Sequence, residues 1–310
     1  MSAPLSLTLA GEFRTLPGIG RQCPPRCGSK LSWITILALV TKALPGGREI
    51  SCINPYEVDF SVHEIFSADL AAHGIALPHD GLFLDVGANI GLFSLRLREK
   101  CPAARILAYE PMPDVLRALA ENMGRLAPAG EAYALALGAE PGTATFDYFP
   151  GLTAMSSSHP DVAEKMADGI RAIMAGASGS AEVRDLVEST GADERATDGA
   201  YMEDLFRRQR VTVDVDTVSR QLTRHGIERV DLLKVDTEGA ELDVLAGIAE
   251  ADWPKISQLM VEVHLGDEVL NDLAADFEAR GYAISIDRHP LADGGAAVSQ
   301  IYAVRRGDKP

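Results

Sequence analysis

The sequence predicts an α/β protein built on a doubly wound parallel sheet, and three observations carry that prediction. Leu82–Ser94, LFLDVGANIGLFS, reads as a buried strand, a glycine turn and the start of a helix. From Leu82 onward strand-like and helix-like segments alternate, as a sheet covered by helices on both faces requires. A second strand–turn–helix–strand block, Val230 to His264, repeats the arrangement and carries acidic residues at its strand ends.

Residues 1–45 read as an N-terminal extension, rich in Pro, Gly and small residues over their first two-thirds. Within it, Ser32–Leu44 predicts a helix stopped by Pro45-Gly46-Gly47. The main domain spans 46–310. Arg48–Asn54 is a short strand, and Val58–Ala72 a helix with Val62, Ile65, Phe66 and Leu70 on its apolar face. Leu82–Val86 is the first core strand, and its helix runs to about Glu99. Arg105–Tyr109 is the second strand. Pro111-Met112-Pro113 forces a turn before a helix over Asp114–Met123. Glu131–Leu137 predicts a third strand, and the alternation in Thr143–Phe149 an extra antiparallel one.

Residues 151–210 break the rhythm with a small-residue loop, Gly151–Ser158, and helices rich in Ala, Asp and Glu. An insertion of this length predicts a lid over the substrate side. His159, alone in a polar loop, reads as a bystander. Val211–Asp216 is a strand, and Thr217–His225 a helix ended by Gly226. Val230–Val235 is the fourth core strand, Asp236–Gly239 a turn and Ala240–Ile248 a helix. Ile256–His264 is the fifth strand and Asp267–Arg280 a helix. Tyr282–Ile286 and Gln300–Arg305 close the chain as a strand pair.

The first turn has the spacing Asp85-x-Gly87-x-Asn89-x-Gly91, distinct from the Gly-x-Gly-x-x-Gly dinucleotide fingerprint. Glycines let backbone approach a ligand closely, and Asn89 is one of the few other residue types that tolerate positive φ. Glu110 lies nineteen residues beyond Gly91, at the end of the second strand, where an acid can hold both hydroxyls of a ribose. Together these residues read as a nucleoside site at the first crossover.

With 310 residues, 46% hydrophobic and 24% charged, the composition is that of a globular protein with a substantial core. A formal net charge of −16 disfavours nucleic acid as a partner, and Arg207-Arg208-Gln209-Arg210 reads as a solvated helix end. Cys23, Cys27, Cys52 and Cys101 read as free thiols of a reducing compartment. No stretch is long and apolar enough to suggest a bilayer span or a signal peptide, so the expectation is a cytoplasmic protein with no membrane partner.

The loop DVGANIG and the block Lys234-Val-Asp236-Thr-Glu238-Gly-Ala-Glu241 followed by Val261-Glu262-Val263-His264 closely resemble the two signatures of the FkbM family of class I S-adenosylmethionine (SAM) methyltransferases. Asp252-Trp-Pro-Lys-Ile256 is similar to the subset associated with polyketide and peptide natural products. The resemblance covers roughly residues 46–305. It implies a Rossmann-like class I methyltransferase sheet, mostly parallel with a reversed last strand. It also implies a loop, Gly87, Ala88, Asn89 and Gly91 with Asp85, along the methionine part of SAM, and Glu110 on its ribose. The entry segment Asn54–Phe66 resembles the family's lead-in, whose polar residues lie near the cofactor pocket. Glu57 and Glu64 are candidates there, against a reading as exposed helix charges.

Ionisable groups crowd the ends of the fourth and fifth strands: Lys234, Asp236, Glu238, Glu262 and His264. An alcohol needs a base as the methyl bond forms. His264 is the first choice for that base because its ordinary pKa is nearest neutrality, with Asp236 and Glu262 orienting it or serving themselves, and Lys234 pairing with the acids. A divalent cation, Mg²⁺ or Mn²⁺, on Asp236, Glu238, Glu262 and His264 is a second, less favoured reading. The expected function is SAM-dependent O-methylation of a small hydroxylated secondary metabolite of polyketide or peptide type, free or tethered to a carrier protein. N- or carboxyl-methylation is the nearest alternative. An NAD-dependent oxidoreductase and a non-catalytic scaffold are more distant ones. Oligomeric state stays open at this level.

Overall fold

In the computed structural model, the described residues are 37–175, 187–188, 192–288 and 298–307. They form, in order, β1 (Val40–Ala43), β2 (Glu49–Cys52), α1 (Pro55–Ser67), β3 (Leu82–Val86), α2 (Leu92–Lys100), β4 (Arg105–Tyr109), α3 (Pro113–Gly124), β5 (Glu131–Tyr133), β6 (Ala136–Leu137) and β7 (Gly142–Tyr148). After a short 3-10 turn at Thr153–Met155 come α4 (Pro160–Met174), α5 (Ala192–Ala196), α6 (Gly199–Leu205), β8 (Gln209–Asp216) and α7 (Val218–His225). The chain ends with β9 (Leu232–Val235), α8 (Glu241–Ala246), β10 (Gln258–Val263), α9 (Asp267–Ala279), β11 (Tyr282–Arg288) and β12 (Ser299–Arg305).

Seven strands form the central sheet in the order β11-β12-β10-β9-β3-β4-β5. β12 runs antiparallel to both its neighbours, while the pairs from β10 to β5 are parallel. Strand order reverses between β3 and β9, which places a crevice at the carboxyl ends of those two strands. Side chains alternate between faces. Phe83, Ile106 and Leu232 therefore join the core under α1–α3, and Leu84, Leu107 and Leu233 the core under α7–α9.

Two expectations are corrected. Val40–Ala43 is a strand, not the end of a helix: β-branched Val40 and Thr41 pair with β2 in an antiparallel hairpin. Residues 32–36 of that expected helix lie outside the described residues, as do Cys23 and Cys27. Nor is Glu131–Leu137 one strand. A tight turn, with Leu135 N–H on the Tyr133 carbonyl at 3.0 Å, breaks it after Tyr133. β5 then ends the main sheet, and β6 starts a separate three-stranded sheet, β6-β8-β7. In that sheet the predicted antiparallel strand pairs with β8 from Gly142↔Val215 to Tyr148↔Gln209, so the 151–210 insertion leaves and re-enters at one place. Cys52 and Cys101 are buried free thiols. No described helix is long and apolar enough to cross a membrane.

Candidate active site

The turn after β3 is shaped by backbone strain. Gly87 has φ 72°, and a Cβ there would sit 1.7 Å from the Asp236 carbonyl oxygen, so only glycine lets the ends of β3 and β9 close up. Asn89 (φ 47°) and Glu238 (φ 55°) are the two non-glycine residues with positive φ among the described residues. Both line the cleft above the turn. Strain of this kind concentrates at working sites.

That cleft, about 640 Å³ including its open mouth, runs from Glu110 and Met112 past Gly87 and Asn89 to Asp236 and Glu238. Leu135, Leu137 and Phe146 give it an apolar wall. The Glu110 carboxylate accepts the Asn89 N–H (3.0 Å) and the Met112 N–H (2.8 Å), which fixes its plane while leaving lone pairs for a ligand. Burial pushes its pKa up to about 7 against the pull of those two donors.

Of the other predicted loop residues, Ala88 is buried against the core, with its N–H on the Tyr109 carbonyl. Gly91, at φ 91°, caps α2, and a Cβ there would meet Leu119 at 2.8 Å. Both shape the turn without lining the cleft. Asp85 does not line it either. It shares the Phe83 face of β3, so its carboxylate lies beneath the loop, accepting from Ser94 Oγ at 2.6 Å and sitting 3.5 Å from Lys234 Nζ.

Lys234 stands opposite Asp85 in register and ties the crevice together. Its Nζ donates to the Gly87 carbonyl at 2.9 Å and pairs with Asp236 at 3.0 Å. Burial alone works against its charge, but Asp236 and Asp85 outweigh it and hold the ammonium above its ordinary value. Lys234 is thus a clamp on the loop.

His264 is enclosed by acids. Its Nε2 lies 3.0 Å from Glu238 and 3.7 Å from Glu262, and its Nδ1 3.1 Å from Glu241. Burial disfavours the imidazolium, yet Glu238 and Glu241 override that and raise its pKa well above the usual value. With a carboxylate against each ring nitrogen, neither is open to a substrate proton, so this arrangement argues against His264 as the base. Glu262 is buried beside Gln300, whose Nε2 donates to it at 3.1 Å, and burial with Asp236 and Glu64 raises its pKa well above the usual range. Glu64, half-buried, lies close enough to Asp236 and Glu238 for their charges to add to desolvation in lifting it to about 7.

Glu57 has a different task. It accepts Thr153 Oγ1 (2.9 Å) and the Ala154 N–H (2.7 Å), and Thr153 Oγ1 in turn accepts from Asn89 Nδ2 (3.1 Å). This chain joins α1, the small-residue loop and the glycine turn. Further along, Ser157 Oγ donates to the Glu238 carbonyl, and the α4 residue Val162 lies over Gly239. Thr153, Ala154 and Ser156 line the cleft. Sequence reasoning missed them and Glu241, although the small-residue run at the start of the insertion was a usable signal. His159 lies 3.6 Å from Asp243 and does not line the cleft.

Burial lifts Glu57, Glu64 and Glu110 from 4.5 to about 7. An acid raised on folding contributes stability that is full below its unfolded value and lost as pH rises through its folded value. The cofactor-free protein should therefore lose Tm between about pH 5 and pH 7.5. Glu57→Gln and Glu64→Gln should each flatten that slope. A wild-type Tm that climbs over this range would refute the assignment.

The strand order, the reversed β12 and the crevice between β3 and β9 are those of the class I SAM methyltransferase fold. The model of the methyltransferase FkbM domain matches residues 85–284, and the chain belongs to the FkbM methyltransferase family. It is 31% identical over 266 residues to the 31-O-demethyl-FK506 methyltransferase FkbM of Streptomyces tacrolimicus, covering 86% of this chain and 96% of that protein. It is 34% identical over 239 residues to the methyltransferase sdnD of Sordaria araneosa, covering 76% and 86%. The AMB antimetabolite synthetase AmbE of Pseudomonas aeruginosa matches at 32% over 279 residues, 85% of this chain but only 12% of AmbE. Among solved structures, a methyltransferase FkbM from Methylobacillus flagellatus superposes with a TM-score of 0.45 at 15% identity, covering 74% of this chain and 44% of that one.

Proposed function

We propose that this protein is a SAM-dependent O-methyltransferase acting on a hydroxyl of a small secondary metabolite of polyketide or peptide type, free or carrier-bound. One observation carries the reading. One cleft has a buried acid, Glu110, at one end and cleft-facing carboxylates, Asp236 and Glu238, at the other, with the strained Gly87–Asn89 turn between them. The names of the Streptomyces and Pseudomonas relatives, an O-demethyl-FK506 methyltransferase and an antimetabolite synthetase, support the substrate class.

The donor set fits SAM. Glu110 has lone pairs for two ribose hydroxyls, the apolar wall suits a purine, and the acids facing the other end suit a sulfonium. Bound there, SAM supplies an electrophilic methyl group. The chain must then hold the acceptor oxygen in line and remove its proton. Glu238 is the residue for that proton. It lines the cleft, and burial raises its carboxyl above the usual range despite the opposing charge of His264. His264 and Glu241 position it, while Lys234 holds Asp236. The Thr153–Ser157 loop and α4 form the acceptor-side cover, which fits the insertion to the role of a lid. Neither nucleic acid nor a membrane enters this reading.

The test is a SAM-consumption screen over hydroxylated metabolites, with mass analysis locating the new methyl on oxygen. S-adenosylhomocysteine should bind between Gly87 and Glu110, and nicotinamide dinucleotides should not. Product methylated on nitrogen would overturn the O-specific part, and tight nicotinamide binding the whole.

A further inference from the structure

The cluster behind the cleft holds more acidic side chains than cationic ones. Asp85, Asp236, Glu238, Glu241 and Glu262 crowd around Lys234 and His264. Within it, one ligand atom each from Asp236, Glu262 and His264 lie within 4.8 Å of one another. Two adjacent parallel strands supply them: Asp236 follows β9, and Glu262 and His264 lie at the end of β10.

Three details distinguish this set from a plain ion-pair network. His264 Nδ1 is already committed to Glu241 Oε1, which the Gly239 N–H also fixes at 2.9 Å, so the ring is oriented with Nε2 toward the acids. A carboxylate behind a histidine in this way is the usual outer support of a metal-bound imidazole. Glu241 is fully buried, and its Oε2 has no hydrogen-bond donor among the described residues. Glu262, 9% exposed, spends one oxygen on Gln300, while its other oxygen stands 3.7 Å from His264 Nε2, beyond hydrogen-bonding reach. Lys234 occupies only Oδ2 of Asp236.

We propose that Asp236, Glu262 and His264 bind one divalent cation, with Glu241 as the outer support of His264. Two carboxylate oxygens suit Mn²⁺ or Mg²⁺, and the single imidazole favours Mn²⁺ of the two. Coordination uses the Nε2 lone pair, so the proton on Nε2 leaves to solvent as the cation enters. The cation's role, though not its binding, rests on the methyl-transfer reading. An acceptor hydroxyl on the cation would become more acidic and give its proton to Glu238, and its oxygen would take the methyl as the sulfur–methyl bond breaks and neutral S-adenosylhomocysteine leaves.

The full chain, stripped with EDTA and dialysed, is titrated with Mn²⁺ while electron paramagnetic resonance follows the free ion, with and without S-adenosylhomocysteine. One equivalent should bind and be displaced by excess Mg²⁺. Asp236→Asn and Glu262→Gln should each weaken Mn²⁺ at least about tenfold, and Glu241→Gln by roughly 10–100-fold through the outer support. Unchanged melting curves would show that the variants still fold. Failure of wild type to bind Mn²⁺ at millimolar concentration while still binding S-adenosylhomocysteine would overturn the site, as would Mn²⁺ binding indifferent to Glu262→Gln and Glu241→Gln. Mn²⁺ bound without any affinity for S-adenosylhomocysteine would leave the metal site standing and sink the methyltransferase reading instead.

Discussion

Glu238→Gln should lower kcat roughly 10²–10³-fold while S-adenosylhomocysteine binds as it does to wild type. The amide keeps the side chain's size and its place in the left-handed turn, and removes only its ability to take a proton. The pH profile separates this role from a structural one. In wild type, kcat should rise as Glu238 ionises, at a pH above the usual carboxyl range because the group is buried. In Glu238→Gln that rising limb should vanish. Without added divalent cation, His264→Gln should move it to higher pH, because the carboxylate loses the imidazolium 3.0 Å away that favours its ionised form. A Glu238→Gln enzyme with near wild-type kcat and an unaltered limb would remove Glu238 from the chemistry.

Gly87→Ala should have the largest structural effect of any small substitution in the cleft. The new methyl would lie 1.7 Å from the Asp236 carbonyl, at a φ of 72° that alanine adopts poorly. The backbone of β3 or β9 must move, and either strand carries half of the crevice. The expected cost is about 3 kcal/mol, a fall in Tm of roughly 5–10 °C. S-adenosylhomocysteine binding should be lost even where the protein still folds. Gly142→Ala is the control, since a Cβ there meets nothing within 4 Å. Equal melting temperatures for the two variants would show that the close approach of β3 and β9 has been misread.

The core of the sheet was legible because buried parallel strands are nearly continuous apolar runs. Leu82–Val86 and Arg105–Tyr109 fall where the sequence puts them. Sequence pattern failed where tertiary pairing decides. Nothing in Tyr133-Ala-Leu-Ala-Leu137 marks the turn that hands the chain to a second sheet, and the apolar run around Val40 fits helix or strand equally. At the site, residue types were readable and directions were not. Asp85 looked like a ligand residue, but alternation turns it under the loop toward Ser94. His264 looked like a base because imidazole titrates near neutrality. That property depends on its neighbours, and Glu238, Glu241 and Glu262 converge on it only once the turn after β9 is folded against the end of β10. Thr153 and Ala154 reach the cleft through Glu57, which lies nearly a hundred residues earlier, a partnership that no local pattern announces.

The pairing of Tyr148 with Gln209 gives the insertion a property of its own. The chain between those two residues leaves and rejoins the small sheet at one point, so changes in its length beyond α4 leave the register of the strands in the large one untouched. On the proposed reading, acceptor choice can then diversify by rewriting a cassette, while the cofactor half stays fixed.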